Sequence, residues 1–418
     1  MEKEADALNV VFERFLHGSQ LIKDREALRH DYIPAKLPHR EDHIGRLGMI
    51  VAPLLKAERC SNIFVYGKTG TGKTAVMKYV LSRLTQKAAE FGTPVRAAYV
   101  NCRLAGTEYR VFASLCDSLD THVPFTGLAV GEVFDRFKHN LEAQGLLLVI
   151  VLDELDELIK TRGDVLLYEL TRINETLHRS RVTIIGISND LRFKELLEPR
   201  VLSTLSEEEV LFNPYNASEL QDILWERAGL AFSDGVLLGG AVSLCAALAA
   251  AEHGDARRAL DLLRVAGEVA EREDAKEVTE NHVREAETRI EHDRVIDALT
   301  NLTLHSKIVL YSVYLLGKVN IHSAITGDIY EVYCELCRES GSLSPLTQRR
   351  VSGLISELDT IGLLNSRIIS RGRYGRTKKI SLATPRTLIK EVYANDDHLG
   401  QLCDFTPHCL KLKLDKAR

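Results

Sequence analysis

The feature that most constrains the fold is a glycine-rich loop that follows a short apolar run. Asn62-Ile63-Phe64-Val65-Tyr66 has the pattern of a buried strand, and it leads into Gly67-Lys68-Thr69-Gly70-Thr71-Gly72-Lys73-Thr74. A helix-forming stretch begins at Ala75 and leaves the loop. This is the G-x-x-x-x-G-K-[ST] pattern in the strand–loop–helix context that it requires. We therefore expect residues 67–75 to bind the phosphates of a nucleotide.

Two side chains of this loop have specific expected roles. The glycines let successive backbone N–H groups point at phosphate oxygens. Lys73 is expected to reach the β- and γ-phosphates, and the hydroxyl of Thr74 to bind Mg²⁺. The expected cofactors are therefore ATP or ADP, together with Mg²⁺.

Two carboxylates follow a second apolar strand, about 80 residues further on. The run Val149-Ile150-Val151-Leu152 ends in Asp153 and Glu154. In phosphate-loop ATPases an Asp at this place holds Mg²⁺, and the following Glu polarises the water that attacks the γ-phosphorus. The alternative is an ordinary solvated strand end. The pairing with the loop favours the catalytic interpretation, with Thr74 and Asp153 as the metal-binding pair.

Three more residues complete the predicted catalytic set. Asn189 follows the strand at 183–187, where it can orient the attacking water or simply cap the next helix. Arg200 can act as a finger on a neighbouring subunit's nucleotide. Arg257, at the start of a later helix, can touch the γ-phosphate. Surface salt bridges are the alternative for both arginines.

The order of predicted elements gives the domain organisation. Strand and helix alternate over about 200 residues, which predicts an α/β core with a parallel sheet covered on both faces. The predicted strands are 62–66, 96–100, 146–152, 182–187 and 208–211. The following region has only helical patterns: 216–229, 235–251, 255–272 and 279–298. We expect a core at 1–212 with a mostly helical leader at 1–30, a helical lid at 213–298 and a third domain at 299–418.

The third domain is basic within an acidic chain. Residues 301–390 contain 13 Lys and Arg against 6 Asp and Glu, a local charge of +7 in a chain of net charge −5. This segment is expected to meet an anion, and nucleic acid is the obvious candidate. Its helices (306–318, 328–340, 346–360) and hairpin strands (363–370, 378–382) predict a winged helix.

Two parts of this domain are predicted to contact DNA. Polar and basic residues occupy the first turns of its third helix, the pattern of a recognition helix in the major groove. They are Thr347, Gln348, Arg349, Arg350 and Ser352. The hairpin is basic at its tip, and a solvated turn is the alternative there. Its predicted DNA-binding residues are Arg371, Arg373, Tyr374, Gly375, Arg376 and Lys378.

Composition excludes several other classes. No apolar run reaches the roughly 18–20 residues that span a bilayer, and the N-terminus is too acidic for a signal peptide. We expect a cytoplasmic, nucleoid-associated protein with no membrane partner. Cys334 and Cys337 are close in the sequence and could be half of a four-thiolate zinc site. Cys403 and Cys409 could supply the other half, but their spacing is wrong for a zinc knuckle. Buried thiols are the favoured interpretation.

Between Asp31 and about Lys390 the chain resembles the archaeal origin-recognition (Orc/Cdc-type) replication initiators of the AAA+ class. The most specific motifs are Asp31-Tyr32-Ile33-Pro34, Leu37-Pro38-His39-Arg40-Glu41, Tyr215-Asn216-Ala217, Gly254-Asp255-Ala256-Arg257-Arg258 and Thr347-Gln348-Arg349-Arg350-Val351-Ser352. The resemblance implies an AAA+ parallel-sheet ATPase core with a helical lid, followed by a C-terminal winged-helix domain. It also implies slow, regulatory ATP hydrolysis.

The resemblance adds roles that spacing alone does not give. It implies that Leu37, Pro38, His39 and Arg40 wall the adenine pocket. It implies that Tyr215 and Arg227 contact the nucleotide. A helical insertion within Arg103–Lys138 is expected to touch DNA through a loop that contains Phe125, Thr126 and Gly127. The implied partners are duplex origin DNA, the replicative helicase (MCM) and other initiator subunits.

Two other functions fit parts of the sequence. An ATP-switched winged-helix transcription regulator has the same two parts, but such proteins usually carry sensory repeats after the winged helix, and this chain stops about 30 residues beyond it. A helicase or Holliday-junction translocase also has the two nucleotide motifs, but no motif specific to a motor is visible. The initiator is therefore the leading hypothesis.

Overall fold

The structure is a computed structural model. It describes residues 21–30, 32–124, 126–205, 207–319, 321, 323–341, 343–370, 376–396, 399–402 and 405–410. The chain divides into two compact units, Met1–Ala286 and Glu287–Arg418.

The first unit is built on a five-stranded parallel sheet. Its strands are β1 (Asn62–Gly67), β2 (Val95–Asn101), β3 (Leu147–Asp153), β4 (Arg181–Ser188) and β5 (Glu207–Phe212). Their order in the sheet is β2-β3-β4-β1-β5, and every pairing is parallel. The five predicted strands are therefore present, and the predicted α/β class is confirmed.

Helices cover the sheet and then form the lid. Around the sheet they are α1 (Glu41–Val51), α2 (Lys73–Phe91), α3 (Cys102–Ala105), α4 (Glu108–Asp117), α5 (Val130–Gln144), α6 (Leu155–Arg162), α7 (Val165–Arg172) and α8 (Pro199–Leu205). The lid helices are α9 (Ala217–Ala231), α10 (Gly239–Glu252), α11 (Ala256–Arg272) and α12 (Glu280–Thr300), the last of which contains the boundary between the units.

The apolar runs of the strands are explained by burial on both faces of the sheet. Leu148, Ile150 and Leu152 of β3 pack into a cluster with α4 to α7. Val149 and Val151 point the other way, into a cluster with α1 and α2. Because both faces are covered, β3 has no polar alternation and ends only where polar residues begin. Parallel strands bring their carboxyl ends to one edge, and the candidate site lies there.

Only residues 21–30 of the predicted helical leader are described, and they contain little helix. Residues 1–20 lie outside the described residues. Between Leu21 and Arg29 the only helix is one 3₁₀ turn at Glu26–Leu28. The backbone N–H of Lys23 donates to the carbonyl of Ala231 at 2.8 Å, and Ile22 forms an antiparallel β-bridge with Phe232. The backbone is extended here because its donors are used by the lid and not by a helix of its own.

The second unit has the predicted three helices and hairpin. They are α13 (Leu304–Lys318), α14 (Thr326–Glu339), α15 (Gln348–Thr360), β7 (Leu364–Ser370) and β8 (Arg376–Leu382). Two elements were not predicted: a two-residue strand, β6 (Ala324–Ile325), which pairs with β8, and α16 (Arg386–Ala394). In the described part of the chain, none of the helices is long and apolar enough to cross a bilayer.

Candidate nucleotide-binding and DNA-binding sites

A cavity of about 390 Å³ lies in the first unit, between the carboxyl ends of the strands and the lid. Most residues of the predicted nucleotide site border it. They are Leu37, Pro38, Thr69, Gly70, Thr71, Gly72, Lys73, Thr74, Ala75, Asp153, Glu154, Asn189, Tyr215, Arg227 and Arg257. Four unpredicted residues of the N-terminal segment also border it: His30, Tyr32, Ile33 and Pro34. The fold thus gathers residues from both ends of the first unit, and their roles remain predictions.

Lys73 is buried at the start of α2, with its ammonium group held by three acceptors. Nζ donates to the carbonyls of Gly67 and Lys68, each at 2.7 Å, and to Oδ1 of Asn189 at 2.8 Å. These contacts use all three N–H groups. Burial lowers the pKa of Lys73 to about 8, although the nearby Asp153 carboxylate opposes that shift. The lysine therefore links the phosphate loop to the end of β4.

Asp153, at the end of β3, is held by three hydrogen bonds. Its Oδ2 accepts from the Thr74 hydroxyl at 2.8 Å and from the Tyr99 hydroxyl at 2.6 Å. Its Oδ1 accepts from the backbone N–H of Glu154 at 2.9 Å. A carboxylate beside a hydroxyl is a hard oxygen donor set of the kind that binds Mg²⁺ together with phosphate oxygens. Thr74 and Asp153 therefore fit the predicted metal.

Glu154 has a strained backbone. Its φ of +53° and ψ of +41° lie in the left-handed region, which costs a residue with a Cβ on the order of 1–2 kcal/mol. This conformation turns the chain sharply between β3 and α6 and leaves the half-buried Glu154 on the cavity wall. Strain at the end of a central strand is typical of functional positions.

The N-terminus of lid helix α11 rests on the phosphate loop. The Asp255 side chain caps the helix by accepting from the N–H of Arg257 at 2.8 Å, and the N–H of Ala256 donates to the carbonyl of Gly70 at 3.2 Å. Gly70 has a φ of +71°, and a Cβ there would lie 1.7 Å from Oδ1 of Asp255. Only glycine allows this close approach. The exposed Arg257 side chain is thereby placed on the cavity wall.

Arg40 and His39 are not among the residues that border the cavity, and their part in the adenine pocket remains a prediction. Leu37 and Pro38 border the cavity, whereas Arg40 is buried behind the loop. Its three nitrogens donate to the carbonyls of Thr71, His39 and Asn213 at 2.8–3.0 Å. His39 Nε2 lies 2.8 Å from Oδ2 of Asp222, on the lid. The structure therefore places the second half of this motif in the framework around the pocket.

Arg227 borders the cavity, but its guanidinium is hydrogen-bonded to backbone carbonyls of the N-terminal segment. It donates to the carbonyls of Ala27 at 2.5 Å, Arg29 at 2.7 Å and Tyr32 at 3.1 Å. The group also lies 4.5 Å from the centre of the Tyr32 ring, and burial lowers its pKa. Arg227 thus shapes the wall formed by residues 30–34. A direct contact with the nucleotide remains a prediction.

Arg200, the predicted finger, lies on α8 outside the cavity lining. Its Nε pairs with Oε2 of Glu198 at 2.7 Å, and its guanidinium lies 4.9 Å from the centre of the Tyr168 ring. More than half of its side chain is exposed. Its role toward a neighbouring subunit remains a prediction.

The second unit presents part of the predicted DNA-binding surface. Thr347 caps α15 through a hydrogen bond from the N–H of Arg350, and Thr347, Gln348, Arg349 and Arg350 are exposed, with Ser352 half-buried. Lys378 has partners within this unit, because its ammonium donates to the carbonyl of Ser352 at 3.2 Å and to the Ser356 hydroxyl, and its contact with DNA remains a prediction. It ties the wing strand β8 to α15. The described residues do not include four predicted wing contacts, nor the side chain of a fifth. The four are Arg371, Arg373, Tyr374 and Gly375, and the fifth is Arg376.

The predicted DNA-contacting loop of the first unit lies between α4 and α5. Thr126 and Gly127 border a small surface cavity with Thr107, Tyr109 and Arg110. The Tyr109 hydroxyl donates to the carbonyl of Pro124 at 2.5 Å, which fixes the start of the loop. Phe125 lies outside the described residues.

The cysteine pair gives no sign of a zinc site. Cys337 is buried, Cys334 and Cys409 are half-buried, and Cys403 lies outside the described residues. Where the structure describes the chain, it brings no three His, Cys, Asp or Glu side chains together as a metal site.

Three family models match successive parts of the chain. A model of the AAA domain matches residues 56–194, the Cdc6 AAA+ ATPase-type lid domain matches 221–288, and the CDC6 C-terminal winged helix domain matches 297–392. The chain is 51% identical over 396 residues to the ORC1-type DNA replication protein of Thermococcus onnurineus, which covers 94% of this chain and 95% of that protein. The ORC1-type DNA replication protein 1 of Archaeoglobus fulgidus is 47% identical, with 96% and 98% covered.

The chain belongs to the ORC1-type DNA replication proteins. A solved structure agrees with this assignment. The Aeropyrum pernix ORC1 protein in complex with DNA is 48% identical, with a TM-score of 0.85, and the match covers 92% of this chain and 99% of that one. The resemblance to origin-recognition initiators and the AAA+ core, lid and winged-helix architecture are confirmed.

Sequence reasoning also missed Tyr99 and Asp156, which hydrogen-bond to the predicted site residues Asp153 and Asn189 of this ORC1-type protein. Tyr99 donates to Asp153 from the neighbouring strand β2. Asp156 is buried in the first turn of α6, where its Oδ1 accepts from the N–H of Asn189 at 3.3 Å. No local pattern indicates the role of Tyr99, because its contact depends on β2 lying beside β3, where Asn101 pairs with Asp153.

Proposed function

We propose that this ORC1-type protein is an ATP-switched replication initiator that binds duplex origin DNA and helps to recruit and load the replicative helicase (MCM). The observation that carries the proposal is the cavity at the strand ends, where the phosphate loop, Asp153, Asn189 and Arg257 meet under a lid helix that rests on the loop. In this proposal residues 1–212 form the ATPase core, 213–298 the lid, and 299–418 the DNA-binding domain.

Each residue of the site has a proposed part in binding or hydrolysis of ATP. The loop N–H groups and Lys73 would hold the phosphates, and Thr74 and Asp153 would hold Mg²⁺, which would neutralise negative charge on the phosphates. Glu154 accepts a proton from the attacking water, which Asn189 orients. Arg257 contacts the γ-phosphate, so the position of α11 depends on whether ATP or ADP is bound. Hydrolysis is slow and serves to reset the switch.

The proposed DNA contacts follow from exposure and charge. The start of α15 presents Gln348, Arg349 and Arg350 to solvent, as a recognition helix requires. The related Aeropyrum pernix ORC1 protein was solved in complex with DNA. We extend that property to this chain, with the wing residues 371–376 and the loop at 125–127 as further contacts. Binding to the origin would place the protein at the nucleoid. There the exposed Arg200 could contact the nucleotide of another initiator subunit.

Footprinting on the organism's own origin DNA, with ATP and with ADP, tests the proposal. We expect protection of defined duplex sequences whose extent differs between the two nucleotides. Lys73→Ala is the matched control, because it should remove the difference between nucleotides while leaving the winged helix intact. Equal affinity for origin and random duplex at physiological salt would contradict origin recognition. Genomic binding at many promoters would instead favour a transcription regulator.

A further inference from the structure

We propose that Tyr99 is a positioning residue of the nucleotide site: its hydroxyl fixes the orientation of the Asp153 carboxylate and thereby sets how tightly the site holds Mg²⁺. The inference rests on the proposed function, since it assumes that the cavity binds a nucleotide with Mg²⁺. It deepens that function by assigning a part to a residue outside the nucleotide motifs.

The strand pairing explains why Tyr99 reaches this carboxylate. On β2, Tyr99 pairs with Val151 and Asn101 pairs with Asp153, so the phenol lies one side-chain repeat before the end of the sheet. A tyrosine is long enough to span that step. Its hydroxyl donates to Oδ2 of Asp153 at 2.6 Å, and 41% of the residue stays exposed on the cavity wall.

The three donors to Asp153 come from different parts of the fold. Thr74 belongs to the phosphate loop and helix α2, and the N–H of Glu154 belongs to the strained turn after β3. Only Tyr99, among these three, is anchored in the sheet by a neighbouring strand. Its hydrogen bond therefore holds Oδ2 in place when the loop or the turn shifts. An outer hydrogen bond of this kind typically changes metal affinity 10–100-fold.

A cation on α2 also contacts the Tyr99 ring. The ammonium of Lys78 lies 4.9 Å from the centre of the ring, within range of a cation–π contact. Lys78 comes one helical turn after Thr74 on the same helix. The ring is thus held between the helix that carries one proposed metal ligand and the strand that carries the other. This placement suits a residue that sets the geometry between the two.

The test compares Tyr99→Phe with Tyr79→Phe in the full chain. Tyr79 packs against the core beneath α2 and does not border the cavity. Tyr79→Phe is therefore a matched control, because it removes one tyrosine hydroxyl away from the site. The binding of a fluorescent ADP analogue is titrated in EDTA and then against Mg²⁺, and Mn²⁺ binding to the ADP complex is followed by electron paramagnetic resonance. We expect the half-saturating Mg²⁺ or Mn²⁺ concentration to rise roughly 10-fold in Tyr99→Phe only. ADP affinity in EDTA should stay unchanged.

An unchanged metal midpoint in Tyr99→Phe, with wild-type binding that does depend on the metal, would overturn the role of Tyr99 alone. Wild-type protein that binds nucleotide with no dependence on the metal, or binds none, would contradict the proposed function itself. A loss of ADP affinity in EDTA that matches a lowered melting temperature would show that Tyr99 is merely structural, and this outcome also overturns the inference.

Discussion

The guanidinium of Arg40 stacks on the ring of Tyr215, with its carbon 3.7 Å from the ring centre. The two residues join three parts of the first unit, because Arg40 also donates to Thr71 in the phosphate loop and to Asn213 in the connection between β5 and the lid. Burial lowers the pKa of Arg40, although the hydroxyl of Tyr215 opposes that effect. A buried cation therefore ties the loop to the base of the lid.

We expect Arg40→Met to lower the free energy of unfolding by about 2–5 kcal/mol, because one buried and two partly buried hydrogen bonds to carbonyls are lost and the Tyr215 ring loses its cation. Arg40→Lys should restore only part of this, since an ammonium lacks the planar fork of the guanidinium. Urea denaturation of the three proteins measures the difference. Equal midpoints and slopes for wild type and Arg40→Met would contradict the framework role of Arg40.

Nucleotide binding should take up a proton above pH 8. In the free site the pKa of Lys73 is about 8, and the phosphates that replace its carbonyl partners favour the charged form and raise that pKa. At pH 7 the lysine is mostly charged before and after binding, so uptake is small. At about pH 9 much of it is neutral before binding, so uptake approaches one proton. Calorimetry of ADP binding in buffers of different ionisation enthalpy measures this.

Lys73→Arg is the control for that experiment, because arginine stays charged throughout the range. It should bind ADP, more weakly, with no proton uptake at pH 9. Lys73→Ala should lose most of its nucleotide affinity. Proton uptake that is identical in wild type and Lys73→Arg would assign the titration to another group.

Glu154→Gln should keep ATP bound while hydrolysis falls by about 10²–10⁴-fold, because an amide cannot accept the proton of the attacking water. The amide is nearly isosteric, so the left-handed turn at residue 154 is retained. Single-turnover hydrolysis and filter-binding of ATP separate the two effects. Undiminished turnover in the variant would move the general base to another residue.

Arg349 and Lys378 should behave differently although both were predicted to bind DNA. Arg349→Ala should weaken DNA binding and reduce the dependence of log K on log salt by about one unit, with stability unchanged within roughly 0.5 kcal/mol. Lys378→Ala should cost about 1 kcal/mol of stability, because its partners on α15 lose a donor. Fluorescence anisotropy at several salt concentrations, with thermal melts, distinguishes them. If Lys378→Ala instead reduced the dependence of log K on log salt by a full unit and left stability unchanged, Lys378 would be a phosphate contact.

Sequence patterns predicted what is local in the chain. The buried strands end where polar residues begin, so Asp153 and Asn189 were placed at the same sheet edge without knowledge of the sheet order. Tyr99 was missed because its partner depends on β2 lying beside β3, which no local pattern specifies.

Cations were harder to interpret than carboxylates. Arg40 and Arg227 donate to backbone carbonyls of their own chain. Nothing in the sequence distinguishes such arginines from arginines that bind a ligand. Lys378 poses the same difficulty, because nothing in the sequence indicates that its ammonium donates to the carbonyl of Ser352 on α15. The short strand β6 was missed because two residues are too few to show alternation.

The hydrogen bond from Ala256 to Gly70 has a practical consequence for following the switch. Its donor belongs to the lid and its acceptor to the phosphate loop, so this amide can exchange its hydrogen for deuterium only when the two separate. The protection of this single backbone amide therefore reports the free energy of separating the lid from the loop. A comparison of its exchange in ATP and in ADP would give the difference in that free energy between the two nucleotide states.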